Sequence, residues 1–184
     1  MSALLRFDAV RLARGGRQLF EGLNLSLEPG GALQVGGPNG SGKSSLLRLA
    51  AGLLSAQEGR IEAAPVALAD DHHALDRELP LAAALEFWAE RGAESAIKTM
   101  GLGALCQVPV RILSSGQLKR AGLARVISSG ARLWLLDEPL NALDGDGVER
   151  LAGAIAAHRA SGGGVVAASH VPLPGKWRKL ELGQ

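Results

Sequence analysis

The stretch "GPNGSGKSS", from Gly37 to Ser45, decides the fold. It fits the pattern G-x-x-x-x-G-K-[ST] in full and lies between an apolar run and a helical pattern. The glycines allow backbone N–H groups to turn inward around phosphates, Lys43 can reach the β- and γ-phosphates, and the Ser44 hydroxyl suits Mg²⁺. The alternative, an ordinary glycine-rich turn, leaves the Lys-Ser pair unexplained. We therefore predict a nucleoside triphosphate site built from Gly37, Pro38, Asn39, Gly40, Ser41, Gly42, Lys43, Ser44 and Ser45.

The segments on either side of this loop predict a parallel α/β sheet. Residues 3–35 have the patterns of β-strands, "ALQV" before the loop is typical of a buried strand, and helical periodicity begins after Lys43. Buried strands recur in "RLWLLDEP" and "GGGVVAASH", whereas helical patterns dominate from His72 to Gly130. The predicted fold is an α/β phosphate-loop domain with an N-terminal antiparallel β region and an inserted helical subdomain. Residues 1–71 and 131–184 are expected to form the nucleotide-binding core, and residues 72–130 the subdomain.

Local signals predict three helix starts. Pro80 is suited to the first turn of a helix, and Asp146 with Glu149 three residues later can cap another. The stretch "LSSGQLKRAGLAR", residues 113–125, predicts a helix that opens with Lys119 and Arg120. Such an opening offers unpaired N–H groups to an anion. The chain therefore has two predicted anion sites, and the phosphate loop accounts for only one of them.

Composition restricts the classes of function. The chain has 184 residues, 47% hydrophobic and 21% charged, which suits one compact domain. A net charge of +2 and a pI near 9.0 are too weak to imply a nucleic-acid partner. The single cysteine, Cys106, forms no internal disulfide, which fits a reducing compartment. The N-terminal "MSALLRFDAV" does not resemble a signal peptide, and no apolar run approaches the ~18 residues of a spanning helix, so we expect any membrane attachment to depend on another subunit.

The end of "RLWLLDEP" supplies two carboxylates suited to hydrolysis. Asp137 can hold Mg²⁺ through a water molecule, and Glu138 can activate an attacking water as general base. Alone, the pair is equally consistent with a helix-capping aspartate and an exposed glutamate. The phosphate loop upstream favours the catalytic interpretation, and the pair favours hydrolysis over phosphoryl transfer to a small molecule.

His170 ends the last predicted apolar strand. Ligands of α/β sheets gather at the carboxyl ends of the strands, which places this imidazole beside the loops that carry Lys43 and Asp137. There it can bond the γ-phosphate or orient the water. A lone histidine is more often a surface or core residue, but its position after this strand favours a catalytic role.

Five segments together resemble the ATP-binding-cassette (ABC) family. They are "GPNGSGKS", "LSSGQ", "LLDEP", "NALD" and His170, which occur in the family's order and span nearly the whole chain. The resemblance implies an ABC-type ATPase that uses ATP and Mg²⁺ and works as a head-to-tail pair of domains. In such a pair the "LSGGQ"-like signature of one domain closes over the γ-phosphate held by the other.

The resemblance explains the second anion site. It implies that the signature contacts ATP bound to Lys43 of a second copy, through Ser114, Ser115, Gly116 and Gln117. The "NALD" segment then lines the seam between the copies with Asn141, Ala142, Leu143 and Asp144. Two motifs that complete each other only across an interface require a two-fold symmetric homodimer.

Within the family, the chain is most similar to the haem exporter ATPases of cytochrome c maturation (Ccm) systems. The similar stretches are "RGGRQLFEGLNLSL", "GPNGSGKSSLLRLAAGL", "LSSGQLKRAGLAR" and "LWLLDEPLNALD". This resemblance implies a peripheral subunit on the cytoplasmic face of the inner membrane, bound to integral membrane subunits that deliver haem, with no direct haem contact of its own. The alternatives are a cassette for another exported cargo and a non-transport cassette acting on ribosomes or DNA. A small-molecule kinase would leave "LSSGQ" and "NALD" unexplained.

The sequence departs from the family pattern at several positions. Arg14 stands where most members carry an aromatic residue for adenine; its guanidinium can lie on the base or be a solvated strand residue, with equal support. His72, in "DDHHALD", stands near the usual glutamine that senses Mg²⁺ and the membrane partner, so we interpret it as part of a coupling loop rather than of a metal site with Asp70, Asp71 and His73. Ser115 replaces the first signature glycine, a small change that we expect the loop to tolerate.

The helical insert contains an apolar group, formed by Leu85, Phe87 and Trp88. Core packing is the default interpretation of these side chains. The family resemblance offers an alternative, a groove for a coupling helix of the membrane subunit, in which one exposed tryptophan anchors the contact.

Overall fold

The computed structural model describes residues 3–72, 74–90 and 92–183. Two sheets form its framework. The antiparallel sheet has the strand order β2-β1-β4 and the bounds β1 (Leu5–Arg14), β2 (Arg17–Leu27) and β4 (Glu58–Ala63). The parallel sheet has the order β5-β6-β7-β3-β8 and the bounds β3 (Ala32–Gly36), β5 (Val66–Ala69), β6 (Leu133–Asp137), β7 (Gly164–Ala168) and β8 (Arg178–Glu181).

The helices lie where the sequence predicts helical structure. Helix α1 (Lys43–Ala50) follows the phosphate loop directly. The insert between β5 and β6 contains α2 (Leu81–Glu86), α3 (Glu94–Thr99), α4 (Ser115–Ser128) and two short 3₁₀ turns, Gly103–Leu105 and Val110–Ile112. Helix α5 (Gly145–Ala160) connects β6 to β7. The predicted α/β class, with an antiparallel region and a helical insert, is confirmed. Within the described residues, no helix has both the length and the apolarity to cross a bilayer.

The central strands of the parallel sheet, β3, β6 and β7, are buried on both faces, and their alternate residues belong to two different cores. Leu133 and Leu135 pack with the antiparallel sheet and α1, whereas Trp134 and Leu136 pack with the helical insert and α5. The sheet therefore connects the phosphate loop on one side to the insert on the other. Only continuous apolar runs such as "LWLL" can satisfy both faces at once.

The predicted helix starts were wrong in detail. Helix α4 begins at Ser115, four residues before the predicted Lys119, because Ser114 and Gln117 form a capping box. The Gln117 N–H donates to Ser114 Oγ at 3.3 Å, and the Ser114 N–H donates to Gln117 Oε1 at 2.9 Å. The signature thus forms the first turn of the helix, and the N–H groups of Ser114 and Gln117 in that turn already have acceptors within it.

Two further boundaries and one strand differ from the prediction. Asp144, rather than Asp146 with Glu149, caps α5, since its Oδ1 accepts from the Gly147 N–H at 2.9 Å. Pro80 is the residue before α2 and has an extended conformation, so it does not lie in the first turn. Strand β8 was not predicted: it is short and mostly exposed, and it forms only by pairing with β3.

Candidate nucleotide site

Strand order brings the predicted catalytic segments together. Strands β6, β7 and β3 are neighbours in the parallel sheet, and Asp137 at the end of β6 is in register with Ala168 at the end of β7. The phosphate loop follows β3, Glu138 follows β6, and His170 lies two residues beyond β7. The three segments therefore meet at one carboxyl edge of the sheet, the usual place for a ligand of an open α/β sheet.

The phosphate loop wraps around the Lys43 side chain. The Lys43 ammonium donates to the Gly37 carbonyl at 2.8 Å and to the Pro38 carbonyl at 3.1 Å. Gly42 has φ +100°, in the left-handed region, and a Cβ there would lie 2.9 Å from Phe20 Cζ in β2. Glycine is required at this position both for the turn and for packing against the β1–β2 sheet. The ammonium is consequently fixed inside the loop, where an anion would be held.

A cavity of about 530 Å³ lies beside this loop. This volume is typical of a small-ligand site. Its wall contains Arg14, Gly15, Arg17, Leu19, Asn39, Gly40, Gly42, Lys43, Ser44, Ser45, Asp137 and Glu138. Most of the predicted nucleotide-binding residues are thus brought to one wall. Three predicted residues are outside this wall. Gly37 and Pro38 accept hydrogen bonds from the Lys43 ammonium through their carbonyls, and Ser41 is buried in the loop.

The oxygen donors beside Lys43 match the preferences of a magnesium nucleotide. Burial raises the pKa of the Asp137 carboxyl, and a hydrogen bond with the Ser44 side chain opposes this shift. A hydroxyl and a carboxylate oxygen are hard donors of the kind that Mg²⁺ takes beside phosphates. The residues present therefore fit both the polyphosphate and the cation, which Ser44 would bind directly and Asp137 through water.

Glu138 and His170 form a contact pair. Glu138 Oε2 lies 2.9 Å from His170 Nδ1. The Glu138 backbone has φ +42°, and its N–H donates to the Ala168 carbonyl at 2.9 Å. A non-glycine residue in this region is strained by about 1–3 kcal/mol, and such strain is common at functional sites. The chain thus holds this carboxylate at the cavity wall in a fixed direction, against the imidazole.

Lys119 packs against the carboxyl end of β6, outside the described cavity wall. The side chain is 5% exposed, and its ammonium donates to the Asp137 carbonyl at 3.1 Å. Burial lowers the pKa of Lys119, while the nearby carboxylates of Asp71, Asp137, Glu138 and Asp70 raise it. Lys119 therefore connects α4, the signature helix, to the catalytic end of β6. The contact joins residues 18 apart in sequence on two different elements, and no local pattern reveals it.

The signature lies away from the cavity of its own chain. None of the residues 113–117 is part of the described cavity wall. Instead, the signature packs on the "NALD" segment, since a Cβ on Gly116 would lie 2.8 Å from the Ala142 carbonyl. Ser114, Ser115, Asn141 and Ala142 are exposed. The two segments form one continuous patch on the surface, which we call the signature patch (residues 113–117 and 141–144).

The predicted coupling residues lie on the surface of the insert and near it. His72 is exposed, and its backbone N–H donates to Asp70 Oδ1 at 3.0 Å; His73 is outside the described residues. Leu85 is fully buried in the core, as the default interpretation predicts, whereas Phe87 and Trp88 are 80% and 39% exposed. These two rings border a groove of about 310 Å³ with Ala74, Asp76, Leu79 and Ala84. The Arg125 guanidinium lies 5.1 Å from the centre of the Trp88 ring and supports it from the core side.

Comparisons with known proteins agree with this geometry. The family model described as ABC transporter matches residues 20–141. A curated relative from Sphingopyxis alaskensis, named cytochrome c biogenesis ATP-binding export protein CcmA, is 51% identical over 180 residues, covering 94% of this chain and 93% of its own. A protein of the same name from Paramagnetospirillum magneticum is 42% identical over 205 residues, with coverages of 97% and 94%.

Solved structures share the fold at lower identity. A putative ABC transporter ATP-binding protein from Pyrococcus furiosus has a TM-score of 0.83 and 20% identity, covering 97% of this chain and 96% of its own. A dimeric ATP-binding cassette in a post-hydrolysis state, bound to ADP and Pi, has a TM-score of 0.80 and 20% identity, with coverages of 91% and 88%. At this identity the likeness establishes the fold.

Proposed function

Since the chain belongs to the ABC transporter family, we propose that it is the ATP-hydrolysing subunit of the haem exporter of cytochrome c biogenesis. The relatives that support this cargo carry the name cytochrome c biogenesis ATP-binding export protein and align over most of both chains. In this proposal two copies close around two ATP molecules and reopen after hydrolysis. Integral membrane subunits convert that motion into export.

One observation supports the paired arrangement above others: Ser114 and Ser115 are exposed, and no residue of the signature contributes to the described cavity wall of its own chain. The β1–β2 hairpin, the phosphate loop, Asp137 and Glu138 line the cavity, and its open side is left for a second copy. Under two-fold symmetry, Ser114, Ser115, Gly116 and Gln117 of each copy then face the nucleotide of the other. Residues 141–144 lie next to them and line the seam.

The catalytic roles follow from the chemistry of each side chain. Lys43 and the loop N–H groups hold the β- and γ-phosphates, and the Arg14 guanidinium lies on the adenine. Ser44 and Asp137 would hold Mg²⁺, Asp137 through a water molecule, and the ion would neutralise charge on the phosphates. Glu138 takes a proton from the attacking water. His170, at 2.9 Å from Glu138, orients that carboxylate and bonds the γ-phosphate.

The membrane partners bind at the helical insert, residues 72–130, in this proposal. An exposed phenylalanine beside a half-exposed tryptophan is unusual on a surface unless a partner covers it. The loop that carries His72 leads into this insert and connects it to β5. The subunit is then peripheral on the cytoplasmic face of the inner membrane, and the membrane subunits alone contact haem.

Copurification tests this assignment. Tagged protein expressed with its native membrane partners should recover integral subunits from solubilised membranes, identified by mass spectrometry as those of a haem exporter. Phe87→Ser is expected to reduce this recovery strongly, because it removes an 80% exposed ring from the groove. Leu53→Ser, which changes a 64% exposed apolar side chain after α1, is the matched control and should leave recovery unchanged.

The outcomes separate the alternatives. Recovery of membrane subunits for another cargo would reject haem export and retain the transporter assignment. Recovery of ribosomal proteins without membrane subunits would favour a non-transport cassette. Equal losses in Phe87→Ser and Leu53→Ser would contradict the groove as the docking surface.

A further inference from the structure

Two arginines overhang the nucleotide cavity from the β1–β2 hairpin. Arg14 ends β1, Arg17 begins β2, and the two are opposite each other in the strand register. The connecting Gly15 and Gly16 have φ +58° and +74°, as a tight two-residue turn requires. The turn therefore places both arginines at the same end of the sheet, and both line the cavity.

The other arginines of this sheet form ion pairs with carboxylates, whereas Arg14 and Arg17 form none with the described residues. Arg11 pairs with Glu58 at 2.8 Å, Arg60 with Glu62 at 2.9 Å, and Arg6 with Asp8 at 3.8 Å. Among the residues that the structure describes, neither Arg14 nor Arg17 has a carboxylate within 4.0 Å or a side-chain hydrogen bond to protein. Like charges directly opposite on neighbouring strands are destabilising. An anion in the cavity would relieve this repulsion.

The position of Arg17 indicates which part of a nucleotide it faces. A Cβ on Gly40, in the phosphate loop, would lie 4.0 Å from Arg17 Nη1 and would contact nothing else within 4 Å. Two residues farther along β2, Leu19 approaches the same loop, and its Cβ lies 3.3 Å from an ideal Cβ on Gly42. The Arg17 guanidinium thus lies beside the turn of the loop that precedes Lys43. In the proposed nucleotide site this turn surrounds phosphate rather than the base.

We infer that Arg17 is a nucleotide-binding residue that contacts the polyphosphate from the hairpin side of the loop. The inference rests on the proposed nucleotide site and adds a residue outside all of its motifs. A guanidinium donates in a planar fork that matches two phosphate oxygens, which an ammonium or an amide does not reproduce.

The aromatic content of the wall adds weight to this inference. The chain has no tyrosine, and no phenylalanine or tryptophan is among the described residues of the cavity wall. Recognition by aromatic stacking is therefore unavailable from these residues. Charged contacts to the nucleotide, among them that of Arg17 to phosphate, then contribute more of the affinity, so the loss of one should have a measurable effect.

Calorimetry with ADP and AMP tests the role of Arg17, because neither nucleotide requires the γ-phosphate contacts of a closed dimer. Arg17→Gln is expected to weaken ADP binding about 10-fold or more, as for the loss of a charge-assisted hydrogen bond. AMP binding should change far less, since the single phosphate leaves most of the Arg17 contact unused. Arg17→Lys keeps the charge and should recover part of the ADP affinity.

Three controls keep the result specific. Arg60→Gln removes an exposed arginine of the same sheet that pairs with Glu62, and it should leave ADP affinity unchanged. Arg14→Gln, if Arg14 serves the base, should weaken ADP and AMP by the same factor. Thermal unfolding of Arg17→Gln should occur no lower than that of the wild type, because the side chain is exposed and its loss relieves the repulsion from Arg14.

Unchanged ADP affinity in Arg17→Gln would overturn the inference, as would equal losses for ADP and AMP. A change confined to the concentration dependence of ATP hydrolysis would also overturn it and would place Arg17 at the interface between copies. Lys43→Ala, measured in the same experiment, distinguishes a failure of the proposed nucleotide site from a failure of the Arg17 role alone. If Lys43→Ala also binds ADP normally, the nucleotide site itself is wrong; if it does not, only the role of Arg17 is rejected.

Discussion

Glu138→Gln is expected to slow ATP hydrolysis by about 10²–10⁴-fold and to leave nucleotide binding intact. The amide has the shape of the carboxylate but cannot take a proton from the attacking water. The strained backbone at φ +42° and the bond from its N–H to Ala168 do not depend on the side-chain charge, so the loop should keep its position. Phosphate release under saturating ATP measures the effect.

The same variant should accumulate an ATP-bound dimer, because closure precedes the step that is blocked. Size-exclusion chromatography with ATP should show this dimer for Glu138→Gln and much less of it for the wild type. Glu149→Gln, an exposed glutamate on α5, is the matched control and should hydrolyse ATP at the wild-type rate. Wild-type turnover in Glu138→Gln would show that Glu138 is not the base.

Lys43→Ala is expected to abolish useful nucleotide binding. The ammonium is fixed between the Gly37 and Pro38 carbonyls, at the centre of the phosphate loop. A hydrogen bond from a charged donor contributes about 1.5–3 kcal/mol, and the loop also loses the orientation that Lys43 imposes. Calorimetry with ATP and ADP measures the loss directly.

Lys98→Ala provides the matched control for this substitution. Lys98 is an exposed lysine on α3, and its removal should not change affinity. Thermal unfolding must accompany the measurement, because Lys43 is only 8% exposed and its loss leaves two carbonyls without their donor. A folded Lys43→Ala protein with wild-type affinity would reject the phosphate-loop assignment.

Local patterns were sufficient for much of the fold and of the candidate site. The phosphate loop is a contiguous motif between a strand and a helix, and apolar runs such as "LWLL" predict strands that are buried on both faces. The start of α4 could also have been predicted, because Ser114 followed three residues later by Gln117 is a capping-box pattern. It was missed because the anion-binding interpretation was applied to the wrong turn of the helix.

Other features depend on contacts that no local pattern contains. In the sequence, nothing distinguishes Lys119 from other helix residues; only the packing of α4 against the end of β6 buries its ammonium beside Asp137. Arg17 is one strand residue among many, and only the hairpin turn places it beside Gly40. Strand β8 alternates weakly and forms through its pairing with β3. In each case the information lies in tertiary packing.

A complementation experiment tests the central claim, that the signature of one copy completes the nucleotide site of the other. One protein carries Lys43→Ala, and the second carries Ser114→Arg with Gly116→Asp; each must be folded and inactive alone. In a mixed dimer, one composite site combines both lesions, and the other pairs an intact phosphate loop with an intact signature. Mixing equal amounts should restore roughly a quarter of wild-type hydrolysis if copies pair randomly and one good site suffices. The recovered activity should rise with protein concentration, since closure is bimolecular. No recovery at any concentration, although cross-linking detects mixed dimers, would contradict the account.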